Sequence, residues 1–319
     1  MKGASQQISS LRYPLNTILG SKGHILIIRE LLETGQPMNH SELIDRTNLS
    51  RQGVYDVVER LVENGLVTYS GSGRRQLVEV RKNHPLHEVL IQLFKSEKGR
   101  FESLTETLRT EINALEHKPE SAWIFGKAAQ GVDEYGDPLQ IALLGKLKSI
   151  DSVTNRFRER LIRNKLEPAF DVTIDLRGIT VADLEARPSL TKQGMIHLWG
   201  VDPVIFLNHQ NDQSPAVTSH KDHDEKTLKE SKAWTELLKT HPEIIPRTVT
   251  WLNRQIEATG SGEKMEWLEW KNLLENCSYQ RLKKFMESDS ERSVRLRQSL
   301  PFWMVLAENE RTKFEQLIR

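Results

Sequence analysis

Cysteine is almost missing from this chain. Cys277 is the single thiol among 319 residues, so there is no disulfide framework, and a reducing cytoplasm is the expected compartment. Long apolar runs are missing as well. None approaches the roughly 20 residues that cross a bilayer, which excludes an integral helical membrane protein, and the opening MKGASQQISSLRYPLN lacks the basic-then-apolar pattern of a secretory signal. Charge of one sign is not in excess either: 45 Lys and Arg stand against 44 Asp and Glu, a net +1. A chain that grips polyanions along its whole length is usually far more basic, so any such surface must be local. Internal repeats and low-complexity tracts are absent too. What is present is an ordinary globular mixture, 37% hydrophobic and 28% charged, long enough for more than one domain with its own core.

The first 82 residues are the most patterned. Residues 21–33 carry Ile25, Ile27, Ile28, Leu31 and Leu32, an apolar stripe on a helix that stops at Gly35 before Pro37. Asn39 followed by Glu42 has the spacing of a capping box and opens a short second helix over about 41–46. Thr47, Asn48 and Leu49 then turn the chain, and Ser50 has the chemistry of an N-cap for a third helix. Val54, Val57, Val58, Leu61 and Val62 give that helix one buried face. Its other face presents Arg51, Gln52, Tyr55 and Asp56 at the N-terminal end, where the helix dipole and free N–H groups favour phosphate. After Asn64 and Gly65, residues 66–70 and 76–80 read as two strands joined by a Gly-rich tip bearing Arg74 and Arg75. Over residues 1–82 the basic residues exceed the acidic by three, and they fall where such a fold would meet a nucleic-acid backbone.

The stretch SELIDRTNLSRQGVYDVVERLVENGLV with its basic hairpin resembles winged helix-turn-helix regulators of the MarR and ArsR type. The resemblance implies that Arg51, Gln52 and Tyr55 enter the major groove of double-stranded DNA, with Ser50 beside them in the DNA-binding set, while Arg74 and Arg75 touch backbone or minor groove. Arg suits guanine and Gln suits adenine edges.

Residues 84–98 and 101–116 read as two connecting helices, a usual place for such regulators to form homodimers. The following stretch, SAWIFGKAAQGVDEYGDPLQIALLG, looks like the opening of a minimal nucleotidyltransferase of the DNA-polymerase-β superfamily. There a strand ends in Gly-Ser, a helix follows, and the next strand carries two metal-holding carboxylates one residue apart. Gly126 matches the glycine, but Lys127 replaces the serine, and Pro138 and Gln140 occupy the acidic positions. Asp137 lies one residue out of phase, and Asp171 is assigned to the third carboxylate strand. One acid of three cannot hold two metals. The resemblance therefore implies a pseudoenzyme with no catalytic residue and no cofactor, whose degenerate site at Gly126, Lys127 and Asp171 would take a nucleotide or a protein partner.

Residues 208–226 are polar and unpatterned and read as a linker, so His209, His220, Asp222 and His223 are taken as solvated, with no metal. From 227 onward the chain reads as helical, with five of the seven tryptophans between 234 and 303 assigned to a core. The basic run 292–297 reads as a solvated helix end stopped by Pro301. The expected fold class is α+β multidomain: a winged helix-turn-helix over 15–82, a helical connector over 83–118, and a small α/β nucleotidyltransferase-like domain over 119–207. The 208–226 linker and a helical region over 227–319 complete it. The expected function is a sequence-specific transcriptional regulator binding double-stranded DNA. The alternatives are an active nucleotidyltransferase, or an antitoxin-like scaffold targeted by its winged helix.

Overall fold

Three short helices and a two-stranded hairpin follow one another at the start of the chain, each closed by the residues that its local chemistry favours. The computed structural model describes residues 9, 11–12, 21–70, 76–187, 189–192, 194–207, 221–258 and 261–318. The chain divides into two compact units, one within Met1–Thr107 with Gln130–Glu134, the other within Leu108–Ala129 with Tyr135–Arg319.

In the first unit, α1 (Lys22–Thr34) ends on Gly35, whose φ of 61° is left-handed and suits glycine. The capping box forms as read: the Glu42 N–H donates to Asn39 Oδ1 at 2.9 Å, and the Asn39 N–H donates to Glu42 Oε2 at 2.8 Å. It starts α2 (His40–Thr47). Ser50 accepts from the Gly53 N–H at 3.1 Å and opens α3 (Arg51–Glu63). Strands β1 (Val67–Ser70) and β2 (Leu77–Val80) pair antiparallel, with Val67 opposite Val80. Ile25, Ile28, Leu31, Leu43, Val54, Val58, Leu61, Val67 and Val78 form one buried cluster.

The two connecting helices expected from sequence are one helix, α4 (His87–Asn113). Gly99 does not break it, because a helical glycine costs only about 1 kcal/mol and flanking turns bury Phe94, Leu104, Leu108 and Ile112. Inside the first unit, Glu97 of α4 receives a two-pronged bond from Arg29 of α1, Nε to Oε2 and Nη2 to Oε1, both at 3.0 Å. Both side chains are buried.

The second unit contains a sheet in the order β5-β4-β3-β6. After β3 (Ser121–Phe125) come α5 (Gly126–Gln130), β4 (Leu139–Leu144), α6 (Ile150–Arg163), α7 (Leu166–Phe170) and β5 (Ile174–Ile179). Then follow α8 (Val181–Ala186), α9 (Ser189–Lys192), β6 (Ile196–Gly200) and α10 (Pro203–Leu207). β4 runs parallel to β5, while β3 is antiparallel to both β4 and β6. One face of the sheet buries Trp123, Phe125, Ala142 and Leu144 with Leu184 and Leu190, and the Trp123 indole donates to the Leu190 carbonyl at 2.8 Å. Against the strands β4 and β5 packs α6.

Residues 208–220, with His209 and His220, lie outside the described residues. The rest of the expected linker is helical, since α11 (Lys221–Thr240) begins at Lys221 and takes in Asp222 and His223. Next are α12 (Ile244–Ala258), α13 (Ser261–Asn276), α14 (Tyr279–Met286), α15 (Glu291–Arg297), a 3-10 turn (Phe302–Val305) and α16 (Glu308–Ile318). Trp234, Trp270, Phe285, Phe302 and Phe314 anchor their core. The basic run corrects the sequence reading: Arg292 and Arg297 are buried rather than solvated, because each has polar partners. Arg297 donates to the Met286 carbonyl and to Ser293 Oγ. Arg292 reaches Glu167 Oε1 at 2.5 Å, Glu269 Oε2 at 2.9 Å and the Ile174 carbonyl at 2.9 Å. Among the described residues no helix is long and apolar enough to cross a membrane.

Candidate nucleic-acid interface

Packing on the Val54, Val58 and Leu61 side leaves the opposite face of α3 to solvent, where Arg51, Gln52, Tyr55, Asp56, Glu59, Arg60 and Glu63 are exposed. Ser50 caps the helix start, so the dipole end and the first of these side chains share one edge. The polar side chains are already organised. Gln52 Nε2 donates to Asp56 Oδ1 at 2.6 Å, the i, i+4 neighbour on the helix surface. The Tyr55 ring stacks on His40 with centroids 4.2 Å apart and planes 11° from parallel. Tyr69 of β1 lies tilted against the same imidazole at 6.1 Å, and the Arg51 guanidinium sits 5.9 Å from the Tyr55 ring centre. Sequence reading missed His40 because it falls at the start of α2, outside the helix that carries the expected contacts.

Burial holds the His40 imidazole below its ordinary pKa, so at neutral pH it stacks uncharged. Burial, with the negative Glu59 and the neighbouring Tyr55, holds the Tyr69 phenol above its ordinary value, keeping its proton. The wing tip, with Arg74 and Arg75, lies outside the described residues.

The second sequence-derived site lies on the sheet. Gly126 follows β3 at the start of α5 with φ +70°, and a Cβ there would collide with the Gln140 amide, so the position requires glycine. Lys127 is bonded to Asp137 at 3.1 Å, and Asp137 also accepts from Lys284 at 3.0 Å. Pro138 precedes β4, and Gln140 lies on it between Phe125 and Asp175. Asp171 is not on a strand. It caps α7 with a left-handed φ of 49° and is held by Arg281. The acid on β5 is Asp175, four residues later, in register with Gln140. Asp175 is 2% exposed, and among the described residues neither of its side-chain oxygens has a hydrogen-bond partner.

Burial pushes the Asp175 carboxyl up to about 6, against the pull of Arg177 and Arg292. An unfolded aspartate titrates near ~3.9. Between about pH 4 and pH 6 the folded chain therefore keeps a proton that the unfolded chain has released, and the group's favourable contribution is lost as pH rises through about 6. Asp175→Asn is expected to gain on the unsubstituted chain by about 3 kcal/mol between pH 4 and pH 7 in urea unfolding. A difference that stays constant over that interval contradicts the assignment.

No curated protein and no solved structure matches the chain. Residues 24–68, which run from the first helix through the capped third helix into β1, match the winged helix-turn-helix DNA-binding family.

Proposed function

We propose that the chain is a cytoplasmic, sequence-specific transcriptional regulator of the MarR or ArsR kind that binds double-stranded DNA as a homodimer and performs no catalysis. The observation that carries this reading is the exposed N-terminal end of α3, where a capped helix presents Arg51, Gln52 and Tyr55 while its opposite face is locked in the core. Arg offers paired donors, and Gln one donor and one acceptor, to base edges, and Arg74 and Arg75 are assigned the backbone contacts.

The sheet of the second unit is the nucleotidyltransferase-like part, used for assembly or for sensing a nucleotide or protein partner. Its support is the order of strand, Gly126, short helix and strand, with Gln140 rather than an acid beside Asp175. A single acid in that row cannot hold the metal pair that phosphoryl transfer requires.

Selection of bound duplexes from a random pool tests the regulator reading. The unsubstituted chain is expected to enrich one motif, symmetric if two copies bind. A chain with Arg51 and Gln52 changed to alanine is expected to lose the motif, and one with Arg74 and Arg75 changed to alanine to keep it at lower affinity. Absence of any enriched motif overturns the reading.

A further inference from the structure

We propose that the winged helix reads an A·T pair or step, with Gln52 engaging the adenine edge and the Tyr55 ring, held flat by His40, covering the C5-methyl group of thymine. This rests on the duplex-reading function proposed above and adds what is read and by which atoms.

The charge pattern comes first. Along the exposed side of α3, Arg51 and Arg60 alternate with Asp56, Glu59 and Glu63. Carboxylates at this density repel a phosphate backbone, so this face meets a duplex through base edges, with only the Arg51 end suited to phosphate.

The orientation of Gln52 comes next. Its bond to Asp56 uses one Nε2 hydrogen. The second N–H and Oε1 remain, and these are the donor and acceptor that complement adenine N7 and the N6 amino group. The carboxylate thus fixes the amide plane before any duplex arrives, which lowers the ordering cost of the contact.

The aromatic platform completes the pattern. Tyr55 lies three residues beyond Gln52, on the same helix face. It is 41% exposed yet cannot swing freely, because one ring face lies parallel on His40 at 4.2 Å. Tyr69, 37% exposed, borders the same imidazole from β1. An exposed, immobilised aromatic surface beside polar readers needs an apolar counterpart, and the thymine methyl is the apolar group that the major groove offers. His40 is a positioning residue here: it contacts Tyr55, not the duplex.

The test uses the motif enriched from the random pool, with each thymine replaced singly by deoxyuridine, which removes one methyl and keeps pairing. At one position per half-site the unsubstituted chain is expected to bind about fourfold more weakly, the value of one buried methyl. Tyr55→Ala is expected to bind thymine and uracil there equally, and Tyr55→Phe to discriminate as before. His40→Ala is expected to lose most of the thymine-to-uracil ratio, and His40→Phe, which keeps a stacking ring, to restore it. Replacing the paired adenine by 7-deazaadenine removes the N7 acceptor and is expected to weaken binding about tenfold, with no such penalty in Gln52→Ala. Uracil tolerated at every position, or an equal uracil penalty in Tyr55→Ala, overturns the proposal while leaving the regulator reading intact. An enriched motif made only of G·C pairs does the same. No enriched motif at all overturns both.

Discussion

Replacing Arg292 by alanine is expected to destabilise the second unit by about 3–5 kcal/mol, the cost of stranding buried opposite charges. Arg292 lies on α15 and bonds Glu167 of α7, Glu269 of α13 and the carbonyl of Ile174 on β5, so one guanidinium ties the sheet to three helices. All three side chains of the ion cluster are buried. Burial works against the Arg292 charge, but Glu167 and Glu269 outweigh it and raise the pKa. Burial likewise pushes Glu269 up, yet Arg292, Arg295 and Arg158 together hold it below its ordinary value. Arg292 and Glu269 are thus both held in their charged forms, and alanine leaves Glu167 without its guanidinium and Glu269 with Arg295 alone at 2.6 Å. Lysine is not a substitute, since an ammonium cannot span both acids with a planar fork. Urea unfolding checks this: the midpoint should fall with little change in slope. A loss under about 1 kcal/mol would show that water reaches the cluster.

Glu97→Ala is expected to cost the first unit a comparable amount, about 3–5 kcal/mol. Arg29 and Glu97 are matched in a bidentate pair and are both buried. This geometry locks α4 against α1 beside the aliphatic cluster that carries α3. Removing the carboxylate takes the two-pronged partner away from a buried guanidinium that faces the Phe94 ring. Arg29→Met combined with Glu97→Leu should recover most of the loss, because the expense lies in keeping a buried charge without its bidentate carboxylate rather than in the missing attraction. A double-mutant cycle by urea unfolding measures the coupling. Additive single effects would refute a specific pair.

The winged helix was legible because its determinants are local. Asn39 with Glu42, Ser50 before a valine stripe and Gly35 after a leucine stripe each act within one or two turns. The second unit was legible mainly in its apolar residues, such as Trp234 and Trp270. Its charged interior was not, since Arg292, Glu167 and Glu269 are far apart in the chain and each alone reads as surface. Asp175 was missed for a related reason. Asp171 and Asp175 look alike in FDVTID, and only the start of β5 at Ile174 decides which lies on the strand. The helical run through Gly99 also needed tertiary knowledge, because the burial on either side outweighs what the glycine loses. His40 could have been noticed from its place beside the Asn39 cap, but its stacking on Tyr55 joins two helices and leaves no trace in spacing.

If the chain reads duplex DNA as proposed, the alternation of sign along α3 bears on how it searches. Binding to random duplex is driven by release of condensed counterions, and the steepness of its salt dependence scales with the number of phosphates neutralised. On the exposed side of α3 two cations, Arg51 and Arg60, stand against three carboxylates, Asp56, Glu59 and Glu63, so this face would neutralise few phosphates. Through that face alone, arbitrary sequence would be held weakly and released quickly. Under the proposed function, occupancy in a genome would then depend less on sliding along anonymous DNA than on the few base pairs whose edges the helix fits.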